Sequence, residues 1–143
     1  IKLVDPTDHS GAFRGREKVY DHLVTMVKNA NKSITFLTSS EGLERKYPLL
    51  VNYLKKAAKK DIEIKVSVPI GSDKELISDL NKFAKVKQNN TNKARFCIID
   101  EKELLLFLTD DKKVHKSYDC AVWLNAPYFV EYFSKLFNKE WKQ

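Results

Sequence analysis

The stretch from Lys93 to Phe107, KARFCIIDEKELLLF, constrains this chain more than any other. Two apolar runs, Phe96-Cys97-Ile98-Ile99 and Leu104-Leu105-Leu106-Phe107, flank the charged triplet Asp100-Glu101-Lys102. Each run is the length of one short strand, and neither shows the polar alternation of a half-exposed one. The stretch predicts a buried strand, a charged turn and a second buried strand. The rest of the chain has to supply the cover.

That cover is legible on both sides of the stretch. Residues 1–14 read as an entry segment or linker, with a turn at Asp5-Pro6-Thr7-Asp8. Residues 16–31 carry Val19, Leu23, Val27 and Ala30 at helical spacing. A β-branched strand is predicted over 33–38, followed by the polar loop Ser39-Ser40-Glu41-Gly42. A second helix is expected over about 44–60, with Tyr47, Leu50, Leu54, Ala57 and Ala58 inward; Pro48 then falls in its first turn, where proline is tolerated. Ile62 to Val68 alternates cleanly, as a strand with one polar face does. Residues 73–83 predict a shorter helix with Ser72 as its N-cap, and Val86 seeds a short strand. After the opening stretch come a solvated turn at Asp110-Asp111-Lys112-Lys113, a strand over 118–124, and a last helix entered at Pro127. Helices alternating with strands, then a hairpin-rich half, define an α/β domain with a mixed sheet flanked by helices.

At 143 residues the chain is about one domain. No apolar run approaches the length of a membrane span, and no signal-peptide pattern opens the sequence. Cys97 and Cys120 sit in apolar runs without metal spacing, and they read as reduced thiols of a cytoplasmic protein. Nothing in the spacing of His9, His22, His115, Cys or acidic residues predicts a metal site, and no cofactor motif is present. The net charge of +7 suits a protein that meets polyanions. Its lysine runs over 55–60 and 82–87 lack interleaved aromatics and read first as solvated faces. The chain opens at Ile1 rather than methionine, which fits a piece of a longer protein.

The run from Lys93 to Asp100 resembles the phospholipase D superfamily motif, HxKxxxxD followed by a GSxN-type segment. In that family alternate strand positions put the histidine nucleophile and the phosphate-holding lysine on one face. Aligning the aspartate on Asp100 puts Lys93 at the histidine position and Arg95 at the lysine position. The glycine, serine and asparagine positions fall on Phe107, Leu108 and Asp110. An ammonium group cannot replace a histidine that must attack phosphorus and then leave. The resemblance therefore implies a phospholipase-D-like fold over 15–143 with no catalytic residues, and a protein that is not an enzyme.

A second resemblance covers about Gly15 to Trp141. Gly15-Arg16, Thr38-Ser39-Ser40-Glu41-Gly42-Leu43, the Lys93–Asp100 run, Val114-His115, Tyr118-Asp119 and Trp123-Leu124-Asn125-Ala126-Pro127-Tyr128-Phe129 are similar to the central region of archaeal transcription regulators of the TrmB family. Such regulators carry an N-terminal winged helix-turn-helix that binds DNA, a coiled dimerisation segment and a phospholipase-D-like domain, and some add a sugar-binding module. The resemblance implies an effector-sensing or dimerisation domain, with DNA reached through a domain not in this chain and a small anionic or sugar effector. The alternatives are a phosphodiesterase or nuclease, and an assembly module with no ligand.

Lys93, Arg95 and Asp100 are candidates for a remnant anion pocket, against the plainer reading that Arg95 pairs with Asp100 or Asp119. Ser39, Ser40 and Glu41 follow a strand, where α/β folds present ligand loops, against the plainer reading of a capped helix entry. Trp123 and Asn125 reach that same rim if the sheet is mostly parallel. The last helix is aromatic over more than one stripe. Tyr128, Tyr132, Phe133 and Trp141 are candidates for a homodimer interface.

Overall fold

The two apolar runs form the middle of the molecule. In the computed structural model, which describes residues 10–89, 94–108 and 116–141, they are β5 (Arg95–Ile99) and β6 (Glu103–Phe107), and every residue of β5 is buried. Around them stand β1 (Ser10–Arg14), β2 (Ser33–Leu37), β3 (Glu63–Val68), β4 (Lys85–Gln88) and β7 (Cys120–Asn125). Together they make one seven-stranded sheet in the order β1-β7-β6-β5-β2-β3-β4. The helices are α1 (Arg16–Lys28), α2 (Ser40–Lys59), α3 (Lys74–Asn81) and α4 (Pro127–Trp141).

The sheet has two halves. β2, β3 and β4 are parallel, because each return passes through a helix, α2 or α3. β2–β5, β5–β6, β6–β7 and β7–β1 are antiparallel. The halves meet where Ile34 pairs with Ile99 and Leu37 with Phe96. Helices α1 to α3 bury Val19, Leu23, Leu50, Leu54 and Leu80 on one face of the sheet. On the other face α4 lays Val130, Phe133 and Phe137 against Leu37, Phe96, Ile98 and Leu104.

Asp100 joins the halves. It takes a left-handed backbone (φ 56), as does Glu101 (φ 57), and so closes the β5–β6 turn. A short acidic side chain tolerates this conformation better than a branched one. Its carboxylate accepts hydrogen bonds from the backbone N–H groups of Asn31 (3.0 Å), Lys32 (2.6 Å) and Ser33 (3.1 Å), and its own N–H donates to the Ser33 carbonyl at 2.9 Å. The hairpin turn is thereby fixed to the loop that feeds β2.

Four local expectations are corrected. Ser10–Arg14, taken as part of the entry segment, is an edge strand paired with β7, Gly11 opposite Trp123 and Phe13 opposite Ala121. The second helix starts four residues early. The Ser39 hydroxyl accepts from the Gly42 N–H at 3.0 Å, so the loop 40–43 is already helical. Pro48 accordingly lies in the helix interior, where it leaves the Glu44 carbonyl without its usual donor. The third helix is capped by Asp73, which accepts from Glu75 and Leu76, while Ser72 is buried and bonded elsewhere. Gly15 opens α1 at φ 94, a conformation that strains any residue with a Cβ.

Because the Asp100 carboxylate satisfies three donors at once, Asp100→Ala should lower stability by about 2–4 kcal/mol in urea unfolding. Asp100→Asn, which keeps one acceptor oxygen, should cost roughly half as much. An Asp100→Ala protein of unchanged stability would remove the carboxylate from its joining role.

Candidate functional site

Strand direction decides what converges. β1, β2 and β3 all end at one rim of the sheet, where α1, α2 and α3 begin. Arg95 at the start of β5, Phe107 at the end of β6 and Asp119 before β7 reach the same rim, because their strands alternate in direction. Asp100 lies at the opposite end of β5. The rim therefore brings Arg95 together with the Ser39-Ser40-Glu41 corner and leaves Asp100 out. Asn125 also ends at the far side, since β7 runs antiparallel to β6. Lys93, Asp110 and His115 lie outside the described residues.

At this rim Ser40 and Ser72 share a hydrogen bond of 2.7 Å, and the Ser72 hydroxyl donates to the Pro69 carbonyl at 2.7 Å. With its one proton used there, Ser72 accepts from Ser40. These bonds tie the entry of α2 to the loop after β3. Arg16 pairs with Asp119 (Nε to Oδ2, 2.6 Å), and the Gly15 N–H donates to the Asp119 carbonyl at 2.6 Å. Asp119 is thus engaged in seating α1.

At the centre of the rim two buried cations meet one aromatic ring. Arg95, only 8% exposed, stands 5.4 Å from the Phe107 ring centroid. Lys46, only 2% exposed, stands 4.4 Å from the same ring and donates from Nζ to Thr38 Oγ1 at 2.9 Å. Two desolvated cations on one aromatic ring are a favourable arrangement. On its other side Lys46 borders a core cavity of about 10 Å³ lined by Phe36, Leu43, Leu50, Leu54 and Leu80, at the lower limit for one water. Lys46 was not foreseen. Its signal was a lysine on the apolar stripe Leu43, Lys46, Leu50, Leu54 and Ala57, four residues before Leu50.

Neither cysteine is bonded to another, and burial pushes the Cys97 thiol far up, with the Lys46 charge opposing. No group of metal-ligating residues converges among the described residues. Among the described residues the histidine is His22, and it lies away from the cations. It stacks on Phe13 (4.4 Å) and meets Trp123 edge-on (5.3 Å), while Trp123 donates to Glu103 at 3.0 Å. His22 Nε2 is buried without a hydrogen-bond partner among the described residues. Burial lowers its pKa below the ordinary 6.5, and the Glu103 charge opposes the shift only partly.

On α4 the four interface candidates divide. Tyr128 is 94% exposed and Tyr132 is also exposed, with Phe129 and Leu136 beside them. Phe133 and Trp141 instead pack under the helix against the Phe96 cluster, Phe133 meeting Phe96 edge-on at 5.7 Å.

The architecture is shared with solved structures. The phospholipase D family member Nuc from Salmonella typhimurium superposes with TM-score 0.71 at 15% identity, over 94% of this chain and 95% of that one. NucT from Helicobacter pylori gives 0.69 at 15% identity, over 91% and 93%. The fold is phospholipase-D-like. The TrmBL2 structure, described as that of an archaeal chromatin protein with a novel mode of DNA binding, gives 0.76 at 20% identity over 94% of this chain. This chain spans about half, 53%, of that protein. The family model described as "Transcriptional regulator TrmB, EBD N-terminal subdomain" matches residues 12–143, and the chain belongs to that family. Comparison with curated protein sequences gave no match. No helix among the described residues is long and apolar enough to cross a membrane.

Because the folded protein holds His22 neutral, protonation favours the unfolded chain. This part of the stability should be complete above pH 6.5 and lost as pH falls from there through the lower folded value. Urea midpoints from pH 8 to pH 5 should show that loss, and His22→Phe should flatten it. An unchanged slope in the variant would assign the acid sensitivity to other groups.

Proposed function

We propose that this domain is a catalytically silent regulatory module of a TrmB-family transcription regulator, sensing a small effector and passing on the geometry of a homodimer. The observation that carries the silent reading is the pair of buried cations on one ring. Where a phosphodiesterase of this fold needs cations turned to a phosphate and a nucleophile, Arg95 and Lys46 stand 5.4 and 4.4 Å from the centroid of the Phe107 ring. An arginine at the position of the family lysine keeps a charge for the sheet end, while phenylalanine takes the volume a phosphodiester would occupy.

The regulatory reading rests on family membership, and it works by population shift. A ligand that prefers one arrangement of two copies changes the spacing of attached DNA-reading parts. DNA contact is proposed through a part of the protein outside this chain, and the setting is proposed to be the cytoplasm. The exposed stripe Tyr128, Phe129, Tyr132 and Leu136 is the proposed dimer face. Glu131 and Lys135, 3.5 Å apart along its flank, suit an antiparallel pairing of two α4 helices, in which each acid faces the other copy's lysine.

The rival reading, phosphodiester cleavage, is favoured by the fold likeness to Nuc and NucT alone. Incubation with bis(p-nitrophenyl) phosphate decides between them. No turnover above buffer is expected, and turnover abolished by Arg95→Ala would reinstate the enzyme. Sedimentation should give a dimer that Tyr132→Glu converts to monomer without unfolding, since Tyr132 is exposed; a monomeric parent protein would remove α4 as the interface.

A further inference from the structure

Among the described residues, the sheet face beneath α4 is covered only in part. Alternation puts Lys65 and Ser67 of β3 and Lys87 of β4 on the same face as Leu37 and Phe96. Over β2 and β5 this face is apolar and α4 packs on it. Over β3 and β4 it is polar, and α4 ends beside it at Trp141. Between them runs a groove of about 360 Å³ lined by Ser67, Lys87, Gln88, Asn89, Glu140 and Trp141. Its size is that of a small-molecule site. It opens at the carboxyl ends of parallel strands, where open α/β sheets leave a crevice for ligands. Arg95 and Lys46 belong to the opposite face, so this groove is separate from the cationic rim.

The chemistry of the lining favours an anion. Ser67 is 8% exposed and lines the groove. A polar group so nearly buried is costly unless something bonds it. Lys87 is held in place at the mouth: its ammonium donates to the Trp141 carbonyl and stands 4.9 Å from the indole ring centroid. An ammonium has three donors, so two remain for a ligand. Lys65 supports the same wall, 5.6 Å from the Trp141 ring and paired with Glu63 at 3.2 Å. Glu140 at the edge disfavours a polyanion. Neighbouring Lys65 also borders a smaller pocket of about 50 Å³ where the buried Ser134 hydroxyl has no partner among the described residues, so the polar trough continues under α4.

We propose that this groove binds a small molecule carrying one phosphate or carboxylate group, which Lys87 and the Ser67 hydroxyl hold while the rest of the molecule lies along Trp141. The binding stands on the groove itself. Its role as the effector site rests on the regulatory reading above.

The test is a titration of the isotope-labelled protein with inorganic phosphate, glycerol 3-phosphate and lactate, with glycerol as the uncharged control, followed by amide and indole NMR signals. Saturable shifts at Gln88, Asn89 and the Trp141 indole are expected with the phosphates or with lactate, and which of these responds identifies the group. Lys87→Ala should weaken binding about tenfold or more, while the exposed-lysine control Lys59→Ala should not change it. Lys87 is exposed, so the variant should keep the dispersed spectrum of a folded protein. Shifts spread over all exposed lysines, a response unchanged in Lys87→Ala, or no response to any of the three anions at millimolar concentration would overturn the proposal. Saturable binding in the groove that leaves the dimer equilibrium untouched would support the site and overturn its regulatory role.

Discussion

The Asp100 carboxylate anchors one end of the seam between the two halves of the sheet. Its three backbone acceptor contacts, to Asn31, Lys32 and Ser33, tie the β5–β6 turn to the entry of β2. On one side of that contact every pairing runs antiparallel, and on the other the strands run parallel with helical crossovers. A mixed sheet needs one register at its seam, and a buried strand cannot slip by one residue without turning its whole apolar set to the wrong face. The short bonds around Asp100 fix that register at its open end. The apolar pairs Ile34 with Ile99 and Leu37 with Phe96 fix it through the interior.

The two faces of this sheet are treated differently. Three helices seal one face with a continuous core, while α4 alone serves the other. A single helix covers about two or three strands, so β3 and β4 keep a polar surface on that side. The clean alternation of Glu63, Lys65 and Ser67 against Ile64, Val66 and Val68 is the sequence trace of this asymmetry.

The rim gathers buried charge around one aromatic ring. Lys46 and Arg95 are buried, and their desolvation is offset by the Phe107 face and, for Lys46, by the Thr38 hydroxyl. Membership in the TrmB family accords with a domain of this architecture serving regulation.

The order of elements, the two buried strands, the charged turn and the resemblance on 93–100 were all readable in the chain, because period and composition are local properties. So were the reduced cysteines, from their apolar surroundings. Several features were not local. Ser10–Arg14 is too short and too glycine-rich to announce itself, and it becomes a strand only because β7 offers a free edge. The start of α2 depended on a serine cap that sequence also permits as a loop. Lys46 lies on the buried stripe of its helix, and its partners Thr38 and Phe107 come from outside that helix. Arg95 and Asp100 are five positions apart in sequence, and only their place on an extended strand separates them to opposite ends of the sheet. The sequence by itself determined which segments must be buried, because apolar burial is written residue by residue. The tertiary structure decided which charged groups meet, because strand direction and face, set by long-range pairing, place a side chain at one rim or the other.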